Sequence, residues 1–232
     1  MRSERPPKHT VSIEDILENV YGAYEGGDLG YYDVVLVDYA RNLRGLYHAY
    51  RHMVHTTWLC HDACLYYADV LSPRQRRWLL IAAMMHDANH MGRAADGNDD
   101  VNIKMAKRFF EEHVAPEDRP YIDTIESYIE PTKFPYDNGG KNLSLEAQIL
   151  RDADRANGLD PVWFQMVIME LGAEMGLSPR EMLVGQEPFL SQLTFYTEWA
   201  QEVFPQDVIQ ARITSVRRRI VIWDRHKKPM KV

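Results

Sequence analysis

Cysteine is nearly missing from this chain: Cys60 and Cys64 are the only two in 232 residues. Two thiols cannot build a disulfide framework, and a zinc site would need histidine or carboxylate partners besides them. The pair is expected to stay reduced and to pack like small apolar residues. Long apolar runs are missing as well. No stretch approaches 18 uncharged apolar residues, so no membrane-spanning helix is expected. The first residues, MRSERPPKHTVS, carry positive charge with no apolar run behind them, unlike a secretory signal. The chain therefore reads as cytoplasmic. Positive charge is the minority sign, with 27 Lys and Arg against 34 Asp and Glu and a formal net charge of -7. A broad surface for nucleic acid or anionic lipid is not expected, although a local basic pocket remains compatible with these numbers. Useful period-two alternation and internal repeats are also lacking.

What is present fits an ordinary folded chain: 45% hydrophobic and 26% charged residues. Residues 1–10 read as a flexible lead before one domain over 11–232. Ile13, Ile16, Leu17 and Val20 repeat with helical spacing until Gly26-Gly27. Residues 47–69 contain neither Gly nor Pro and suit one long helix. Ser72-Pro73 and Ser178-Pro179 are helix starts, with serine as the cap and proline in the first turn. The stretch WLLIAAMM at 78–85 is too short for a membrane span and suits a buried helix. A loop is expected over 88–100, then helical segments near 101–113, 118–129, 145–156 and 161–175. Pro131, Pro135 and Gly139-Gly140 mark a loop between the second and third of these. A segment from Pro179 is expected to extend to Phe204 with a kink or break at Pro188, and a last one covers 206–224 before the basic tail. The expectation is an all-α domain of eight to ten helices.

Nine histidines stand against the two cysteines, and six of them (His48, His52, His55, His61, His86 and His90) fall within 43 positions. His9, His113 and His226 sit near segment ends. His48 and His52 are four apart, so on a helix they share a face. His86, Asp87 and His90 form H-D-x-x-H where the apolar helix runs into a loop, and unpaired ionisable groups there would be costly. Imidazole with carboxylate suits Zn, Mn, Fe or Ni, while carboxylate with water suits Mg. An aspartate after a histidine can bridge two ions, which together activate a hydroxide and clamp phosphoryl oxygens. A further histidine off the metal could act as general acid. LRDADRANG offers Asp152 and Asp154 as the distant carboxylate. His55 and His61 are expected to be packing residues.

Y-H-x-x-x-H at 47–52, HDANHMG at 86–92 and RDADRAN at 151–157 resemble the HD-domain superfamily of metal-dependent phosphohydrolases, over roughly residues 45–160. More narrowly they are similar to class I cyclic nucleotide phosphodiesterases. That resemblance implies His48 as general acid and His90 beside the reacting centre. It implies His52, His86, Asp87 and Asp154 as metal ligands of a site for two divalent ions, with Asp87 bridging to a second, water-rich one. Asp154 is preferred to Asp152 because A-D-x-x-N at 153–157 matches the family pattern, leaving Asp152 behind the ligands or in solvent. Gln186, Phe189 and Leu190 in GQEPFL resemble the Q-x-x-F-[IL] signature in which the amide binds the base and the ring stacks on it. Tyr47 and Arg93 join Gln186 and Phe189 as expected substrate contacts, with Lys104 and Lys133 as further candidate cations. Ala49 and Met91 depart from the family's Asn and Pro. The implied activity is hydrolysis of a nucleotide phosphoester, with a 3',5'-cyclic nucleotide leading. The alternatives are a nucleotidase or (d)NTP phosphohydrolase, a di-iron oxygenase, and a non-catalytic binding protein of the same fold.

Overall fold

The computed structural model describes residues 29–40, 47–92, 99–134 and 142–226. The expected lead and first helix, Arg93, Pro135, Gly139-Gly140 and Lys227-Lys228 lie outside the described residues. Among those described there are ten α-helical segments and no strand, so the fold is all-α. They are α1 (Gly30–Ala40), α2 (Tyr50–Tyr66), α3 (Pro73–Met85), α4 (Asp100–His113), α5 (Ile122–Ile129), α6 (Leu145–Arg155), α7 (Gly172–Glu174), α8 (Pro179–Ser191), α9 (Glu198–Val203) and α10 (Gln206–His226). A π-helix, Phe164–Leu171, leads into α7.

Local chemistry explains the boundaries. Ser72 Oγ accepts the Gln75 amide N–H while the Gln75 side chain accepts the Ser72 N–H, and Ser178 with Glu181 repeats the arrangement. Both helices carry proline in the first turn, where no N–H is needed. The helix expected over 47–69 starts only at Tyr50, because Ala49 is extended (φ -127°, ψ 178°). His48 therefore sits in the turn before α2, not on the helix with His52. The segment expected to run from Pro179 to Phe204 is two helices, since α8 closes at Ser191, soon after Pro188. The π-helix was not legible, because an i→i+5 pattern leaves no distinct periodicity.

Helix α3 lies at the centre. Leu79, Leu80, Ile81, Ala82, Ala83, Met84 and Met85 are all fully buried, and α3 packs against α2, α5 and α6. One cluster of buried apolar residues reaches from Leu29 to Val216. Cys60 and Cys64 belong to it as free thiols. A buried polar brace crosses this core: Arg77 Nε and Nη2 donate to the two Asp118 oxygens at 3.0 and 2.7 Å, and the Tyr32 hydroxyl donates to Oδ2 at 2.8 Å. Removing one partner strands the other in low dielectric. Asp118→Ala is expected to cost about 3–5 kcal/mol in denaturant unfolding, and a loss under about 1 kcal/mol would mean that water reaches Arg77.

Candidate metal centre and adjoining cavity

The apolar helix α3 ends by delivering His86 as its C-terminal cap. The His86 Nδ1–H donates to the Ala83 carbonyl at 2.9 Å, which leaves Nε2 turned to the cluster. That nitrogen lies 3.3 Å from His52 Nε2, 3.2 Å from Asp87 Oδ2 and 3.7 Å from Asp154 Oδ1. His52 Nε2 is 2.9 Å from Asp87 Oδ2 and 3.2 Å from Asp154 Oδ1. Three helix regions thus converge: His52 from α2, His86-Asp87 from the end of α3 and Asp154 from α6. Two imidazole nitrogens face each other between two carboxylates, a donor set that suits a divalent transition ion. A second group, His48, Asp87 and His90, also offers ligand atoms within 4.8 Å of one another and shares Asp87 with the first.

Without an ion, protons must hold this cluster together. Burial opposes charge on His52, yet Asp154 and Asp87 outweigh it and raise the ring to about 9. Burial likewise opposes a charged His86, while Asp87 and Asp154 raise it well above its ordinary range. Burial pushes Asp87 up, but His86 and His48 hold it well below the usual carboxylate range, and His52 does the same for Asp154. An imidazole raised from its ordinary value of about 6.5 contributes stability that is complete below that pH and lost as pH rises through the folded value. Chelator-treated protein is therefore expected to lose on the order of 3 kcal/mol of stability between about pH 6.5 and 9. Thermal unfolding across that range checks it, and a flat profile would contradict the pairing.

His48 is oriented by a residue 126 positions away. Glu174 Oε1 accepts from His48 Nδ1, and its Oε2 accepts the backbone N–H groups of Tyr47 and His48 at 3.1 and 3.2 Å. Burial works against charge on Glu174, but His48 holds it below the usual carboxylate range. The His48 ring stacks on His90 at 3.5 Å between centroids. His90 reaches back because Asn89 adopts a left-handed conformation (φ 60°). Gly92, at φ 83°, then donates its N–H to His90 Nδ1 at 3.0 Å. Asn102 on α4 ties this turn down, accepting from the Met91 N–H and donating to the Gly92 carbonyl, both at 3.0 Å. Close approach also seats α7: a Cβ on Gly172 would lie 2.7 Å from Met182 Cγ on α8.

A cavity of about 560 Å³ opens beside the cluster. Tyr47, His48, Asp87, His90 and Asp154 line it at one side, and Gln186 and Phe189 contribute to its wall. Gln186 is buried, and its Oε1 has no hydrogen-bond partner. Burial raises the Tyr47 phenol well above its ordinary range. Two expectations are corrected. Lys104 is exposed and Lys133 pairs with Asp100 at 2.7 Å, and neither lines the cavity; Arg155 does. Asp152 is neither solvated nor beside the ligands. It is fully buried and accepts from the Tyr196 N–H, the Thr197 N–H and the Thr197 hydroxyl, and burial pushes it up to about 6 against those donors.

Glu174 and Asn102 were missed from sequence, and Asn157 entered only as the last residue of the A-D-x-x-N pattern, without a role of its own. Each is a common surface residue type, and only its long-range partner gives it meaning. His61 is partly buried and His113 Nδ1 donates to the Phe109 carbonyl, as packing residues do. No protein-family model matches the chain, and no curated protein matches it.

Proposed function

We propose that the protein is a metal-dependent phosphohydrolase acting on a phosphoester of a nucleotide, with a 3',5'-cyclic nucleotide as the leading substrate. The observation that carries this reading is the convergence of His52, His86, Asp87 and Asp154 at the side of a cavity of nucleotide size. These four residues would hold the ion, and Asp87, common to both groups, would be shared with a second. Two bound divalent ions would supply a water-derived nucleophile at neutral pH and positive charge for the phosphoryl oxygens.

The chain's own residues do the rest. With its Nδ1 proton held on Glu174, His48 has its Nε2 proton to give to the leaving oxygen as the P–O bond breaks. His90, stacked on His48, limits the swing of that ring. Gln186 can both accept from and donate to a purine edge, and its unpartnered Oε1 supports that role. Phe189 offers a face for stacking. Among the described residues, Asp87, Asp99, Asp154, Glu174 and Glu181 line the cavity against a single Lys or Arg, Arg155. In this reading bound metal, rather than Lys or Arg, supplies most of the positive charge that the phosphate needs.

A second reading has one observation in its favour. The group formed by His48, Asp87 and His90 gives the neighbouring position two histidines, a donor set that also suits iron and oxygen chemistry.

A screen of cyclic nucleotides, cyclic dinucleotides, nucleoside mono- and triphosphates and an aryl phosphodiester with Mn, Mg, Zn, Ni and Fe tests both readings. Cyclic-nucleotide opening is the expected result; oxygen consumption without ester cleavage would select the second. Gln186→Ala is expected to raise KM for the cyclic nucleotide roughly tenfold while leaving aryl phosphodiester cleavage within about twofold. Equal losses on both substrates would make Gln186 structural.

A further inference from the structure

His55 lies one turn beyond His52 on α2, where it reads as a packing residue, yet its Nδ1 is hydrogen-bonded to the segment that follows Asp154 and its Nε2 lies close against a carboxylate of the same segment. Its Nδ1 donates to Asn157 Oδ1 at 2.8 Å, and its Nε2 is 2.8 Å from Asp160 Oδ2. The orientation of the Asn157 amide is set by its other end, where Nδ2 donates to the Asp154 carbonyl at 2.8 Å. Asn157 is buried and lines the cavity. The turn is anchored on its far side as well. Asp160 Oδ1 accepts the Val162 N–H at 2.8 Å, and Arg212 of α10 donates to the Leu159 and Asp160 carbonyls at 3.0 and 2.9 Å while lying over Trp163. A Cβ on Gly158, in the same turn, would meet Leu190 and Phe189 at 3.7 Å.

We propose that His55 is a positioning residue that acts through Asn157, setting the backbone of Asp154 and hence the aim of its carboxylate at the metal position. The inference rests on the metal-site reading above. The physical reason is reach. Asp154 is the last-but-one residue of α6, where intrahelical carbonyl partners run out. Asn157 takes up one of those carbonyls, and His55 fixes the amide to the same helix that carries His52. Two ligands from different helices are thereby referenced to one rigid element. Groups that orient a ligand in this way commonly change metal affinity 10–100-fold when removed.

The two contacts can be separated by stereochemistry. Asparagine places its amide nitrogen where histidine carries Nδ1, and glutamine places its nitrogen near Nε2. His55→Asn keeps the donor toward Asn157 and gives up Asp160; His55→Gln does the reverse. Each variant is titrated with Mn²⁺ and Co²⁺, following bound Mn²⁺ by electron paramagnetic resonance and the Co²⁺ ligand-field absorption. His55→Gln is expected to bind roughly 10–100-fold more weakly with an altered Co²⁺ spectrum, and His55→Asn to stay within about threefold of wild type. Asn157→Ser, too short to reach both partners, should match His55→Gln and serves if the latter does not fold. Wild-type affinity and spectrum in His55→Gln and Asn157→Ser, with only a lower unfolding temperature, would overturn the inference and leave His55 a structural staple. Wild-type protein that takes up neither ion would overturn the metal-site reading itself.

Discussion

Asp87→Ala is expected to empty the metal centre and abolish turnover together. Asp87 Oδ2 faces both His52 Nε2 and His86 Nε2, and it is the one residue common to the two candidate ligand groups. Without it, two imidazoles 3.3 Å apart are left with Asp154 alone, and any second position loses its shared ligand. Elemental analysis of wild-type protein after metal-replete expression should give roughly one to two ions per chain, and the variant almost none. Turnover should fall by at least about 10³. The structure should survive, because the residue lies at a helix end beside the cavity rather than in the apolar core. A variant that keeps its metal and its activity would remove the basis of the functional reading.

His48→Ala should behave in the opposite way on metal and similarly on rate. Its Nδ1 is committed to Glu174 rather than to the cluster of His52, His86, Asp87 and Asp154. The variant is therefore expected to retain metal while turnover drops roughly 10²–10⁴, the usual share of general acid catalysis. Glu174→Gln should lower turnover less, because the amide can still meet the backbone N–H groups of Tyr47 and His48 but no longer stabilises a charged ring. A substrate with a good leaving group, such as a nitrophenyl diester, should be cleaved by His48→Ala with a much smaller deficit, since it needs no proton. If His48→Ala instead loses metal, His48 is a ligand with Asp87 and His90, and the acid role fails.

Much of the site was legible because its residues are local in sequence. His86 and Asp87 are adjacent, and the apolar run before them could only be a buried helix, which places both at the edge of the core. The A-D-x-x-N pattern singled out Asp154 over Asp152, and the two carboxylates do part ways: one joins the histidines, the other holds residues 196 and 197. The Ser-Pro helix starts were equally readable, since capping depends on three or four neighbouring residues.

Glu174 and Asn102 were not legible, nor was what Asn157 of the A-D-x-x-N pattern binds, and neither was the extended backbone at Ala49 that takes His48 off α2. Nothing in the residues around Glu174 announces a carboxylate that binds Tyr47 and His48; that pairing exists only because the π-helix and α7 fold across the start of α2. Helical spacing suggested that His48 and His52 share a face, and they are close in space for a different reason, the turn that Glu174 ties down.

The sequence by itself determined the all-α class, the absence among the described residues of a helix long and apolar enough to cross a membrane, and the residue types available for a metal centre. These follow from composition, periodicity and short-range spacing. Only the tertiary structure decided which histidines meet which carboxylates, which cation reaches the cavity, and which amides aim the ligands. Such pairings join residues up to 127 positions apart, and their geometry comes from how helices cross rather than from how each one forms.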